Sequence, residues 1–226
     1  MLTRKPHYIR EYGAMLELLR RRHGDEDAAM QKAVGGSYQK EGKRQSELIL
    51  ARAPKGPFTL LDVGCGSGRA AYALREVERL TYFGVDIMPD LVDYARTKAA
   101  RPDWRFEVIS DIALPAEDGW ADMMLIMSVF THLKPSETQR YLGEVARVLK
   151  PGGVLICSYL DKNNPKHKSQ FRPAPLQFLA RMLGRDVMLS FVTRAELTRW
   201  AEDAGLKVEE VIEYDNGRQH TLVARK

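Results

Sequence analysis

The sequence predicts an α/β fold: a mostly parallel seven-stranded sheet with helices on both faces, an antiparallel terminal hairpin and a helical N-terminal extension. Three observations carry this expectation. From Phe58 onward, short apolar runs alternate with amphipathic stretches of helical length, the rhythm of parallel strands joined by crossover helices. A glycine-rich segment, Leu60 to Gly68, joins the first apolar run to the helix after it. Two strand-like runs flank Asn216-Gly217 at the end of the chain, a hairpin signal.

Taken in order, residues 7–23 read as a helix with Tyr8, Tyr12, Met15, Leu16 and Leu19 on one face. Gly24 and the acidic cluster after it end that helix. A second helix is expected over Asp27 to Val34, broken by Gly35-Gly36, and a third over Lys40 to Ala51. Ala53 to Pro57 is a turn-rich connection. Strands follow at FTLLDVG, TYFGVDI, RFEVISD, ADMMLIMSV and VLICSYL, with helices at Gly68–Glu78, Pro89–Ala100 and Ser136–Leu149 between them. Thr193 with Glu196 fits a capping box opening a helix that Gly205 ends. LKVEEVIEY and HTLVARK are the hairpin strands. The order of strands in the sheet is not readable from these signals.

Composition narrows the class. Apolar residues make up 44% and charged residues 29% of the 226, the balance of an ordinary globule. No apolar run reaches the roughly 20 residues of a membrane span, and the N-terminus lacks the pattern of a secretory signal. The two cysteines, Cys65 and Cys157, lie in apparent core segments and form no CxxC pair, so neither a disulfide scaffold nor a zinc site is expected. A cytoplasmic location follows as the expectation. The segment before Pro57 carries 12 Lys/Arg against 7 Asp/Glu, an excess equal to the +5 of the whole chain. With the basic stretch from Lys162 to Arg185, this patch either attracts an anionic partner or is a solvated surface.

The chemistry is concentrated at Leu60–Gly68. A buried strand runs into Gly64, Gly66 and Gly68 at alternate positions, where glycine permits positive φ and close approach to the backbone. A dinucleotide fingerprint would need glycine where Arg69 stands, and a phosphate-binding loop would need a following lysine. Asp86 ends the second strand, 22 residues after Gly64, where a carboxylate accepts hydrogen bonds from ribose hydroxyls. Asp111 is expected to end the third strand. Each of these acids alone is equally a strand-end cap or a surface charge; together with the glycines they point to a nucleoside-bearing cofactor.

These residues resemble the class I, Rossmann-like S-adenosylmethionine-dependent methyltransferases over Phe58 to Lys226. The family's D/E-x-G-x-G-x-G motif matches Asp62, Gly64, Gly66 and Gly68, and its LKPGG turn matches Leu149 to Gly153. The resemblance implies S-adenosylmethionine as cofactor, with Asp62 near its amino group and the loop, Cys65 included, around its methionine part. It implies Asp86 on the ribose, Ile87 beside the adenine, Asp111 and Ile112 at the adenine edge, and Met127 completing the site. The expected division is a helical lid or extension over 1–56 and the cofactor-binding domain over 57–226.

Methyl transfer from a sulfonium needs alignment and exclusion of water, and a base when the nucleophile is a hydroxyl. His132, a few residues beyond the fourth strand in MSVFTHLKP, is the candidate base; the other reading makes it a helix cap or a packing partner of Phe130. An SVFTHL stretch here resembles bacterial sugar and natural-product methyltransferases. His7, His23, His167 and His220 are weaker candidates, and no metal is expected. Tyr38, flanked by glycines, either covers the cofactor or packs in the core. The basic loop 161–175, with Lys166, Lys168 and Arg172, either binds an anionic substrate or is solvated. The leading expectation is methylation of a hydroxyl on a small molecule or glycan. N-methylation of a small amine, RNA methylation and cofactor binding without turnover are the alternatives. The post-strand sequence MSVF lacks the NPPF/Y-type tetrapeptide of the amino-methylating enzymes, and no interleaved basic and aromatic surface marks an RNA binder.

Overall fold

The computed structural model describes residues 7–169 and 189–226, the side chains of 7–11 excepted. Three helices lead: α1 (His7–His23), α2 (Glu26–Ala33) and α3 (Tyr38–Leu50). The α/β part then runs β1 (Phe58–Val63), α4 (Arg69–Leu74), β2 (Leu80–Asp86), α5 (Pro89–Ala99), β3 (Arg105–Val108) and β4 (Ala121–Ile126). A 3-10 turn (Phe130–His132), α6 (Pro135–Val148), β5 (Leu149–Tyr159) and the short α7 (Pro165–Lys168) follow. The last elements are α8 (Arg194–Asp203), β6 (Lys207–Ile212) and β7 (His220–Arg225).

The seven strands form one sheet in the order β3-β2-β1-β4-β5-β7-β6. The first five are parallel, and β7 is antiparallel to both its neighbours. Because side chains alternate across a strand, successive residues feed two separate cores. Leu61, Val63, Phe83, Val85, Met124 and Ile126 face α6 and α8, through Tyr141, Leu142, Val145, Leu197 and Trp200. Leu60, Tyr82, Met123 and Leu125 face α3, α4 and α5, through Ile49, Ala71, Leu74, Val92 and Ala95. Both faces are covered, which is why the strands read as continuous apolar runs rather than alternating ones.

Several local signals work as expected. Thr193 and Glu196 bond reciprocally at the start of α8, and Gly205 follows its end at φ 88°. Others resolve differently. α4 stops at Leu74, and β3 stops at Val108, so Asp111 lies in the loop beyond the strand rather than at its end. The terminal strands pair as a hairpin, yet seven residues separate them and Asn216-Gly217 lies inside that longer loop. Of the basic segment, Arg172 falls outside the described residues.

The strand order reverses between β1 and β4: β2 and β3 lie on one side, β5 on the other. Open α/β sheets bind ligands at such a switch point, beyond the carboxyl ends of the strands. α1 and α2 pack over that end through a cluster of Leu16, Met30, Ala33, Met88 and Leu91. α3 instead lies in the helical layer, where Gly42, with no Cβ to strike the Arg69 carbonyl 2.6 Å away, lets it settle on α4.

Candidate cofactor and acceptor site

A cavity of about 340 Å³ opens at the switch point, within the size range of small-molecule sites. Its wall is built from the loop after β1 (Asp62 to Gly66, with Arg69), the end of β2 (Asp86, Ile87) and the segment after β4 (Met127 to Val129, His132, Leu133). α1 and α2 close it with Tyr12, Met15, Lys32, Ala33 and Val34, and Tyr141 and Gln219 complete the far side. Of the residues singled out in the sequence, Asp62, Gly64, Cys65, Gly66, Asp86, Ile87, Met127 and His132 therefore share one wall. Gly68, Asp111 and Ile112 are not part of it. Asp111 accepts a hydrogen bond from the Ile112 N–H at 2.6 Å and faces Arg140 at 3.8 Å. Ile112 is buried in the core on the α6 face.

The glycine loop is shaped by close approach. Gly64, Gly66 and Gly68 have φ of 74°, 54° and 76°, a region that costs other residues about 1–2 kcal/mol. A Cβ on Gly64 would lie 2.3 Å from Val129, one on Gly66 2.5 Å from Val34, and one on Gly68 2.7 Å from Ala95 of α5. The first two glycines thus admit the side chains that flank the cavity, and the third lets α5 pack against the loop. Tyr38 is buried and donates its hydroxyl to the Ser67 carbonyl at 2.9 Å; it fastens the loop from α3 and does not line the cavity. The Ser67 hydroxyl is buried without a hydrogen-bond partner.

Two carboxylates are buried at this loop. Asp86 accepts from the Gly66 N–H at 2.8 Å and the Met88 N–H at 3.0 Å, which ties β2 to the loop after β1. Burial raises its pKa, opposed by those two N–H groups. Asp62 accepts from the Tyr82 hydroxyl at 2.6 Å, and Tyr82 in turn stacks on Trp104 at 4.7 Å. Desolvation pushes the Asp62 carboxyl up to about 7, against the pull of the Tyr82 bond and of Arg69. Arg69 donates to the Gly35 carbonyl at 3.0 Å, and burial lowers its pKa.

His132 sits at the end of the 3-10 turn, its ring edge-on to Tyr12 of α1 with centroids 5.4 Å apart. Lys166 and Lys168 do not line the cavity, and the Lys166 ammonium bonds the Asp215 carbonyl. His167 and His220 lie elsewhere, buried against each other with ring centroids 4.5 Å apart. Among the described residues no group of three or more His, Cys, Asp or Glu stands close enough to hold a metal.

The comparisons agree with this fold. Residues 61–157 match the model of a methyltransferase domain. That segment is a methyltransferase domain of the class I, S-adenosylmethionine-dependent type. Its relatives among curated proteins include a ubiquinone biosynthesis O-methyltransferase of Coxiella burnetii, 29% identical over 154 residues. That alignment covers 67% of this chain and 64% of the relative, so the chain spans less than two thirds of that protein's length. A methyltransferase structure from Aquifex aeolicus is 22% identical with a TM-score of 0.63, covering 86% of this chain and 95% of that one. The [4+2]-cyclase SpnF has a TM-score of 0.64 at 20% identity, covering 85% of this chain and 83% of that one. Both likenesses are of fold, and the second shows that the methyltransferase fold alone does not name a reaction.

S-adenosylmethionine is the cofactor of the family, and the residues present fit it. Two desolvated carboxylates suit a ligand that carries an ammonium, a sulfonium and ribose hydroxyls, and would repel a polyphosphate. The positive-φ glycines keep the loop free of Cβ atoms where it borders the cavity. The signals missed in the sequence were Tyr12, Val34, Arg69, Val129, Tyr141 and Gln219. Arg69 directly follows the motif and was within reach; the others come from distant segments that only the fold brings together.

Proposed function

We propose that this chain transfers a methyl group to a hydroxyl of a small molecule, with His132 as the base. One observation carries the reading: His132 lines the same cavity as Asp62 and Asp86. When bound, S-adenosylmethionine supplies a methyl group on a sulfonium whose leaving group is a neutral thioether. The protein's own work is then alignment, exclusion of water and removal of one proton. In this reading Asp62 and Arg69 hold the two charges of the cofactor's amino-acid end, and Asp86 accepts from the ribose. α1 and α2 shut out water through Tyr12, Met15 and Val34. The imidazole of His132 accepts the hydroxyl proton of the acceptor. The name of the Coxiella burnetii relative supports oxygen as the atom methylated.

Calorimetric titration with S-adenosylmethionine and S-adenosylhomocysteine tests the cofactor part. Binding in the micromolar range that Asp86→Ala loses is the expected result; a folded protein that binds neither compound would overturn the reading. With an acceptor found by labelled-methyl screening, His132→Ala is expected to lower kcat by about 10²–10⁴-fold. Cofactor affinity should stay within about twofold of wild type. Undiminished kcat would remove His132 from the chemistry.

A further inference from the structure

The far side of the cavity carries a hydrogen-bonded relay that the cofactor reading does not use. Ser128, the second residue past β4, has φ 62°, an unfavoured conformation for a serine and a sign of a backbone held in place. Its N–H donates to the Ser158 hydroxyl oxygen of β5 at 2.7 Å, and its carbonyl accepts from the Thr131 hydroxyl at 3.0 Å. The Ser158 hydroxyl donates to Gln219 Oε1 at 2.6 Å, and the Ser128 hydroxyl donates to the same oxygen at 3.2 Å. Ser158 is fully buried.

This relay fixes which way the Gln219 amide points. Ser158 already accepts from the Ser128 N–H, so its own proton needs an acceptor. Only the carbonyl end of Gln219 provides one; a reversed amide would set donor against donor and strand a buried hydroxyl proton. The –NH2 end is therefore turned away from the serines. Among the described residues no hydrogen-bond partner meets it, and Gln219 lines the same cavity as His132. The backbone on either side is clamped: the His167 Nε2–H donates to the Arg218 carbonyl at 2.7 Å, and His220 Nδ1 accepts from the Tyr214 N–H at 3.0 Å.

We infer that Gln219 Nε2 donates a hydrogen bond to the atom that takes the methyl group, and so selects an oxygen acceptor over an amine. A hydroxyl oxygen has two lone pairs, one to attack and one to receive the Gln219 N–H. A neutral amine nitrogen has a single lone pair, which cannot serve both. An ammonium would oppose donor to donor. Gln219 is thus a specificity determinant, and Ser128 and Ser158 are its positioning residues. The inference rests on the O-methyltransferase reading and answers the question of oxygen or nitrogen within it.

The test uses two probes of equal shape, 4-methylphenol and 4-methylaniline, bound to the complex with S-adenosylmethionine, whose methyl group engages the attacking lone pair, and followed by calorimetry. The Gln219 side-chain amide resonances are followed in parallel by NMR. Wild type should bind the phenol about tenfold more tightly, the worth of one hydrogen bond, and the phenol should shift the amide resonances. Gln219→Leu should bring the two probes within about twofold. Gln219→Met, which keeps the length of the side chain but offers no donor, should do the same. Melting temperatures and S-adenosylhomocysteine affinity near wild type show that each variant is folded. A preference that survives both substitutions would overturn the inference, as would a wild-type complex that binds neither probe or shows no preference. Failure to bind S-adenosylhomocysteine at all sinks the underlying reading instead.

Discussion

At the scale of single residues the site is governed by what burial does to charge. Asp62 is desolvated to a pKa of about 7 even though Tyr82 donates to it and Arg69 lies near. In the free protein near neutrality a share of it is therefore protonated. An ammonium placed beside it favours the ionised form, so the cofactor must expel that proton. We expect S-adenosylmethionine binding at pH 6.5 to release a fraction of a proton, and affinity to rise with pH until about pH 8. Calorimetry in buffers of different ionisation heat reads the proton directly. Asp62→Asn should abolish the release and flatten the pH dependence; release that persists in this variant would move the proton elsewhere, Asp86 being next. Asp62, Asp86 and the glycines were visible in the sequence because strand-end acids and alternate glycines are local patterns. Asp111 shows the limit of such patterns: β3 ends at Val108, because its pairing with β2 ends where Asp86 leaves the sheet, and a single sequence carries no mark of where a partner strand stops.

At the scale of elements, the glycine loop separates two costs that glycine can hide. Gly35 and Gly68 both have positive φ, 67° and 76°. A Cβ on Gly35 meets nothing within 4 Å, whereas one on Gly68 would lie 2.7 Å from the Ala95 Cβ and 2.9 Å from its Cα. Gly35→Ala should cost about 1 kcal/mol, the conformational penalty alone. Gly68→Ala must also push α5 from the loop and should cost about 2–4 kcal/mol. Urea unfolding of the two variants measures the difference, and equal losses would show that α5 yields freely. The capping box at α8 makes a smaller claim: Thr193→Ala removes the acceptor for the Glu196 N–H and should cost about 1 kcal/mol. Strands and helices were legible because each apolar run or amphipathic face is written in consecutive residues. The hairpin loop was not: Asn216-Gly217 signals a tight turn, yet seven residues separate β6 from β7, and the first register pair is Ile212 with Thr221.

At the scale of the whole molecule, the order of strands and the meeting of Gln219 with Ser128 and Ser158 were unreadable, since 91 residues separate Ser128 from Gln219 and nothing local pairs them. The same long-range packing gives the protein opposing responses to pH. His220 is buried beside His167, and its pKa is lowered, first by desolvation and then by that neighbour, with Glu213, Asp161 and Asp215 pulling the other way. A lowered pKa means the unfolded chain binds the proton more readily, so the stability tied to His220 is present above about pH 6.5 and is lost as pH falls below it. Asp62 has the opposite sign: its raised pKa means stability is present near pH 4 and is lost as pH climbs through about 7. Without ligand the two slopes oppose each other. A bound ammonium removes the Asp62 penalty and leaves that of His220. The melting temperature at saturating S-adenosylhomocysteine should therefore pull away from the ligand-free value as pH rises from 6 to 8, because tighter binding adds to stability by mass action. Thermal unfolding with and without ligand across that range reads the gap. A gap constant with pH would mean that the cofactor's charge does not meet Asp62, and the assignment of the amino-acid end of the site would have to be reversed.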